Sequence, residues 1–265
     1  MAAAGAAVGP AGWALLPGLL GPAEVAALRE ESGSLLAAAA VGREGGGSSW
    51  GWVARELGCV LQVATGGAPG GRAEAYFRRR GEWPHFPGAA AACVCNPQVL
   101  RALRAALPGG AGADLFLVNE QHIVKPPADA GPSAAAAAAS SAFPVHRDED
   151  WLAGRRVRGA PYFSLWVALD PTDASNGGLE LPGGEGEGEG EGLALVPCAA
   201  GDAVLMGSRC PHRSGPNRSG AFRRAYMPQF SSEPLLDVDS GRPVALAVPL
   251  PLPLPPHRTA FQSSY

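Results

Sequence analysis

The feature that most constrains this chain is a set of five short apolar segments from residue 114 onward, each closed off by turn-forming residues. DLFLVNEQHIVK (114–125), PYFSLWVALD (161–170), LALVP (193–197), GDAVLMG (201–207) and RRAYMPQF (223–230) have the length and apolar character of strands. Strands this short bury their apolar face only by packing sheet against sheet or by closing into a barrel.

Two helical patterns precede them. PAEVAALREESGSLLAAAAVG (22–42) opens with a proline suited to a first helical turn. Leu28, Leu35 and Leu36 form its apolar stripe, and Glu30 and Glu31 fall on the polar side. NPQVLRALRAALPGG (96–110) is a sharper case: Asn96 caps it, Pro97 takes the first position, Val99, Leu100, Leu103 and Leu107 share a face, and Pro108-Gly109 stop it. Helices first and strands after predict an α+β domain with a β-sandwich or barrel core.

Three low-complexity stretches interrupt this pattern: PPADAGPSAAAAAASSA (126–142), GGEGEGEGEG (183–192) and PLPLPLPP (249–256). The first two are expected as surface insertions, since lengthening a loop costs little closure entropy. The third is expected as an extended polyproline segment. The expected organisation is a flexible N-terminus over 1–10, one domain over 11–232, and a proline-rich tail over 233–265.

Composition narrows the partners. The 265 residues carry a net charge of −3 and no long basic block, which argues against nucleic acid. No apolar run reaches the roughly 18 residues of a membrane-spanning helix. The N-terminal stretch has no basic region of a secretory signal, and QSSY at the end matches no address signal, so the cytoplasm is the expected compartment. The five cysteines lack the spacing of a disulfide framework. A small-molecule substrate is the expected partner; nothing in the sequence speaks to oligomeric state.

Candidate chemistry rests on histidines. His257 lies in the proline tail, His85 in a proline-flanked turn, and His122 on a strand as a structural residue. His146 belongs to FPVHRDEDW (143–151). On extended backbone His146 and Asp148 project to one side and Arg147 to the other. A second histidine from another strand would complete a two-histidine, one-carboxylate set of the kind that holds non-haem Fe(II) with open positions. Alone, the triplet reads more readily as a charged loop end than as a metal site. His212 lies between two strands, with Arg223 eleven residues on, and a guanidinium brought beside such a site would clamp a carboxylate in bidentate fashion. Glu149 and Asp150 are expected as surface charge.

Several blocks, in order, resemble the phytanoyl-CoA dioxygenase family of iron(II)- and 2-oxoglutarate-dependent oxygenases. They are GWALLPGLLGPAEVAALREE, QHIVKPP, FPVHRDED, SLWVALDPTDASNGGLELPGG and GDAVLMGSRCPHRSGPNRSGAFRRAY, which together span most of residues 11–232. The resemblance implies a double-stranded β-helix, a jelly-roll or cupin-like core flanked by N-terminal helices. It implies His146, Asp148 and His212 as Fe(II) ligands, and Arg223 with Ser214 on the distal carboxylate of 2-oxoglutarate. Lys125 and Trp166 would line the same pocket, and O2 would be co-substrate. Relatives that halogenate carry a small residue where Asp148 stands, so the carboxylate implies hydroxylation, with release of succinate and CO2. The expected substrate is a small anionic molecule of acyl-CoA, carboxylic-acid or amino-acid type. The family usually follows the LPG turn with Ser-His, which the Gly-Glu repeat replaces here. A catalytically silent binding protein of the same fold, or a cupin-like enzyme using another metal, remains open at this level.

Overall fold

The computed structural model describes residues 8, 12–41, 50–52, 60–63, 93–107, 110–128, 141–159, 161–183 and 192–250. Most of the alanine-rich and Gly-Glu insertions, the connection over 42–49, His85 and the chain beyond 250 lie outside these residues.

Helix α1 (Pro22–Val41) and helix α2 (Pro97–Ala106) occupy the two helical patterns. Asn96 caps α2 by accepting from the Gln98 amide at 2.8 Å, and its own amide donates to Glu24 Oε1 at 2.7 Å. One residue therefore starts α2 and ties it to the first turn of α1. On α1 the buried stripe is Val25, Leu28, Glu31, Ser32 and Leu35, the spacing of one helical face. This corrects the placement of Glu31 on the polar side. Its carboxylate meets His122 Nε2 at 3.2 Å, which satisfies His122 as a structural histidine and fastens the helix to the sheet.

The strands are β1 (Trp13–Leu16), β2 (Trp50–Trp52), β3 (Val60–Val63), β4 (Leu115–Lys125), β5 (Phe143–His146), β6 (Val157–Arg158) and β7 (Phe163–Ala168). They continue as β8 (Leu179–Pro182), β9 (Leu193–Val196), β10 (Ala203–Gly207), β11 (His212–Ser214), β12 (Arg223–Ser231), β13 (Leu236–Asp237) and β14 (Val248–Leu250). All the pairings are antiparallel. The large sheet runs β1-β10-β7-β12-β4-β3-β2, with β14 also on β4, and the small sheet runs β5-β11-β8-β9. This is the expected jelly-roll sandwich with its flanking helices.

Each central strand of the large sheet serves two cores by alternation. On β7, Phe163, Leu165 and Val167 face the helices, joined by Leu28, Leu103, Tyr226 and Phe230. Its Trp166 and Ala168 face the small sheet, packed with Ile123, Leu179, Leu181, Met206 and Ala225. The register of β4 against β12 slips once. Gln229 pairs Asn119 and Phe230 pairs Leu117, so Val118 is an extra residue on β4. Such a bulge reverses which side chains face which core: Leu115 and Leu117 join the helix side, whereas Ile123 joins the inter-sheet side.

The chain does not leave the fold at 233. β13 pairs β6, and β14 adds to β4 with Val248 and Leu250 buried and Pro249 exposed between them. Alternation of apolar residues makes this segment a strand despite its proline, which an edge strand tolerates because one side of it needs no amide donor. At the other insertion, the Gly183 amide donates to the Gly192 carbonyl at 3.2 Å, closing the base of the Gly-Glu loop. No described helix is long and apolar enough to cross a membrane.

Candidate metal centre

β11 and β5 run side by side with His212 directly opposite His146. Two histidines at one register position have nowhere to go but together, and their rings lie 4.2 Å apart. Asp148 follows two residues after His146, and its Oδ1 stands 3.8 Å from His212 Nε2. One ligand atom from each of the three lies within 4.8 Å of the others.

The ring orientations suit a metal. His146 Nδ1 faces the Pro144 carbonyl at 2.8 Å, and His212 Nδ1 faces the Cys210 carbonyl at 3.0 Å. A carbonyl only accepts, so each Nδ1 carries the proton and each Nε2 keeps its lone pair. Burial, outweighing the Asp148 charge, holds His212 below its ordinary value, which keeps the ring in its neutral, ligating form. Cys210 is no competitor: burial and the Asp148 charge push its thiol up to about 12. Two imidazoles and one carboxylate converging in this way fit a divalent transition metal with positions left open.

Asp148 is held at two points. Its Oδ2 accepts from the Ser164 hydroxyl and its main-chain carbonyl from the Tyr162 hydroxyl. Burial and then the Asp148 charge raise Tyr162 well above the ordinary phenol range, so it stays a donor. The next residues are also fixed. Asp150 Oδ2 accepts from the Arg147 amide at 2.8 Å, closing the turn. Glu149 accepts from Ser208 at 3.0 Å and Arg209 at 2.8 Å. Asp150 is exposed, as expected, and Glu149 is half-buried; both also clamp the loop that carries the ligand.

Beside this set lies a buried cationic patch. Arg223 and Lys125 are register partners across β12 and β4, 1% and 0% exposed. The Lys125 ammonium donates to Ser214 Oγ at 2.7 Å and to the Gly215 carbonyl. Because Ser214 accepts there, its own proton remains for another acceptor. Arg223 donates to the Gly177 carbonyl at 3.1 Å, and its guanidinium lies 5.5 Å from the Trp166 ring. Phe143, on the strand of His146, stands 5.3 Å from the Lys125 ammonium. His146, Asp148 and His212 thus cluster together, and Lys125, Ser214, Arg223 and Trp166 are linked by their own pairwise contacts.

A glycine and a buried asparagine shape the patch. Gly177 has φ +75°, and a Cβ there would sit 2.2 Å from the Gly215 carbonyl oxygen and 2.9 Å from Lys125 Nζ. The Asn-Gly-Gly turn therefore needs glycine both for its backbone and for the close approach. Asn217, fully buried, donates to the carbonyls of Pro126 at 2.9 Å and Ala221 at 2.7 Å, holding the loop between His212 and Arg223. Sequence reasoning missed Ser164, Tyr162, Asn217 and Gln229. The one available signal was that Ser164 and Trp166 share a face of β7.

Residues 10–225 match the family model of phytanoyl-CoA dioxygenase. The chain belongs to the phytanoyl-CoA dioxygenase family. Solved structures share its fold. The epimerase SnoN, in complex with Fe3+, alpha ketoglutarate and nogalamycin RO, is 19% identical, with 91% of each chain covered and a TM-score of 0.54. The non-heme alpha ketoglutarate dependent carbocyclase SnoK from nogalamycin biosynthesis is 20% identical, covering 88% of this chain and 85% of that one, with a TM-score of 0.54. The non-heme monooxygenase ThoJ, as its Ni complex, is 20% identical, covering 90% and 84%, with a TM-score of 0.55. A search of curated proteins finds no match to the chain. Membership of the phytanoyl-CoA dioxygenase family, together with the His-Asp-His set, indicates a non-haem iron, 2-oxoglutarate-dependent oxygenase.

Proposed function

We propose that this protein is an iron(II)- and 2-oxoglutarate-dependent dioxygenase that hydroxylates a C–H bond of a small anionic substrate. The observation that carries the reading is the register pairing of His146 with His212, which places their Nε2 atoms beside Asp148 and the buried Arg223–Lys125 patch within reach. His146, Asp148 and His212 would hold the metal. Bound iron would supply activation of O2, coupled to conversion of 2-oxoglutarate to succinate and CO2.

The remaining work belongs to the protein. Arg223 offers a fork of donors to the far carboxylate of 2-oxoglutarate, and Lys125 adds a second cation through the same wall. Ser214, whose oxygen is taken by Lys125, has a hydroxyl proton to give to that carboxylate. Trp166 closes the apolar side of the patch and excludes water, which strengthens each of these contacts. The Pro144 and Cys210 carbonyls keep both histidines in the ligating tautomer.

SnoN epimerises and SnoK closes a ring on this fold, so the fold does not choose the reaction outcome. Asp148 favours hydroxylation over halogenation, because a carboxylate fills the place a halide would need. Support for an anionic substrate comes from Arg155 and Arg158, exposed just after the metal loop, with the Arg155 guanidinium 5.8 Å from the exposed Trp151 ring. Substrate classes to screen are acyl-CoA thioesters, carboxylic acids and amino acids.

The test is anaerobic titration with Fe(II) and 2-oxoglutarate, followed by a substrate screen reading succinate against substrate loss. A metal-to-ligand charge-transfer band and a product heavier by one oxygen support the reading. Absence of the band in wild-type protein sinks it; a band with an isomerised or cyclised product removes hydroxylation alone.

A further inference from the structure

Asp148 has two carboxylate oxygens, and the structure treats them differently. Oδ1 looks toward His212 Nε2, while Oδ2 accepts from the Ser164 hydroxyl, which is fully buried on β7. Behind Ser164 the contacts continue. Gln229 Nε2 on β12 donates to Ser164 Oγ at 3.0 Å, and Asn119 Nδ2 on β4 donates to Gln229 Oε1 at 3.2 Å. Three adjacent strands thus contribute one link each.

The chain has a direction. A serine hydroxyl owns one proton, and an amide nitrogen only donates. With Gln229 giving its proton to Ser164 Oγ, the hydroxyl proton is left for Asp148. Were the Gln229 amide turned over, its oxygen would take that proton and Asp148 Oδ2 would lose its donor. Asn119, by donating to Gln229 Oε1, favours the first arrangement. The register that pairs Arg223 with Lys125 runs unbroken to Gln229 opposite Asn119, and the bulge at Val118 interrupts it only beyond that pair.

We propose that Asn119, Gln229 and Ser164 are positioning residues that hold Asp148 as a one-oxygen ligand, with Asn119 setting the polarity of the whole relay. With Oδ2 occupied, only Oδ1 is offered to a metal, so the positions a second carboxylate oxygen would take stay open for co-substrate and O2. The inference rests on the metal-centre reading above and adds to it three residues that touch neither metal nor substrate.

The test is titration of the metal-free full chain with Co(II), read by calorimetry and by visible absorption, without turnover. Ser164→Ala and Gln229→Leu should each weaken Co(II) binding about 10- to 100-fold, the usual effect of losing a support behind a metal ligand. They should also change the Co(II) spectrum, as Asp148 becomes free to bind through both oxygens. Ser164→Thr, which keeps the hydroxyl, should restore both. Asn119→Asp is the decisive variant: it is nearly isosteric, but its carboxylate accepts only and turns the Gln229 amide over. It should reproduce the Ser164→Ala spectrum and affinity with an unchanged melting temperature. Wild-type protein that takes up no Co(II) overturns the metal reading and this inference with it. Tight wild-type uptake that Ser164→Ala and Asn119→Asp leave unchanged overturns the relay alone.

Discussion

Arg223 and Lys125 face each other across two neighbouring strands, both withdrawn from water, and both donate to main-chain oxygens of the loops that border the metal set. The neighbouring main-chain oxygens offset part of the cost of burying two cations together. The pair is the proposed anchor for the far carboxylate of 2-oxoglutarate.

Replacing Arg223 by alanine should raise the KM for 2-oxoglutarate about 100-fold, the equivalent of a charge-assisted contact of about 3 kcal/mol. Fe(II) affinity should stay near wild type. Succinate production measured against 2-oxoglutarate concentration checks this, and an unchanged KM removes Arg223 from the anchor.

Gly177→Ala should act on both stability and binding. Its backbone is left-handed and its Cβ would press on the Gly215 carbonyl, so a loss of about 1–3 kcal/mol is expected. A drop in melting temperature of a few degrees per kcal/mol, with weaker 2-oxoglutarate binding, should be seen by thermal melts with and without the ligand. Full stability in the variant contradicts the packing of the turn.

The link between α1 and the sheet offers a third check, far from the metal. Removing the Glu31 carboxylate as Glu31→Ala leaves the buried His122 Nε2 without that contact, at a cost of about 1–3 kcal/mol. Urea denaturation should show the shift in midpoint. Co(II) titration of the folded variant should show metal affinity close to wild type, since His122 faces the helices.

A pH dependence follows from His212. Unfolded, it takes up a proton near 6.5; folded and metal-free, burial delays that uptake to lower pH. Its contribution to stability is thus complete above about pH 6.5 and is lost as pH falls from there through the folded value. Melting temperatures of metal-free protein between about pH 7.5 and about pH 5 should fall more steeply for wild type than for His212→Gln. Parallel curves would dissociate the effect from His212.

Much of the architecture was legible because it depends on local pattern. Asn96 caps a helix in sequence and in space, and the five apolar segments are strands. His146 and Asp148 share a side because extended backbone alternates. What was not legible depends on register between distant segments. Glu31 looks like a surface residue until one knows that His122 lies opposite its buried stripe. Ser164 and Gln229 become partners only because β7 and β12 pair, and Asn119 joins them only because β4 pairs β12 on its other side. The strand at 248–250 was hidden by its proline, whose tolerance depends on being at an edge.

The division of labour between the sheets has one more consequence. His146 and His212 ride on the small sheet, Arg223 and Lys125 on the large one, and Lys125 spans the gap by its contacts with Ser214 and Gly215. The separation between the His-Asp-His set and the Arg223–Lys125 patch is therefore shaped by the apolar filling between the sheets: Ile123, Leu179, Leu181, Met206 and Ala225. Those side chains work as a spacer. Under the proposed reading, shaving or thickening it would alter the length of diacid that reaches both ends.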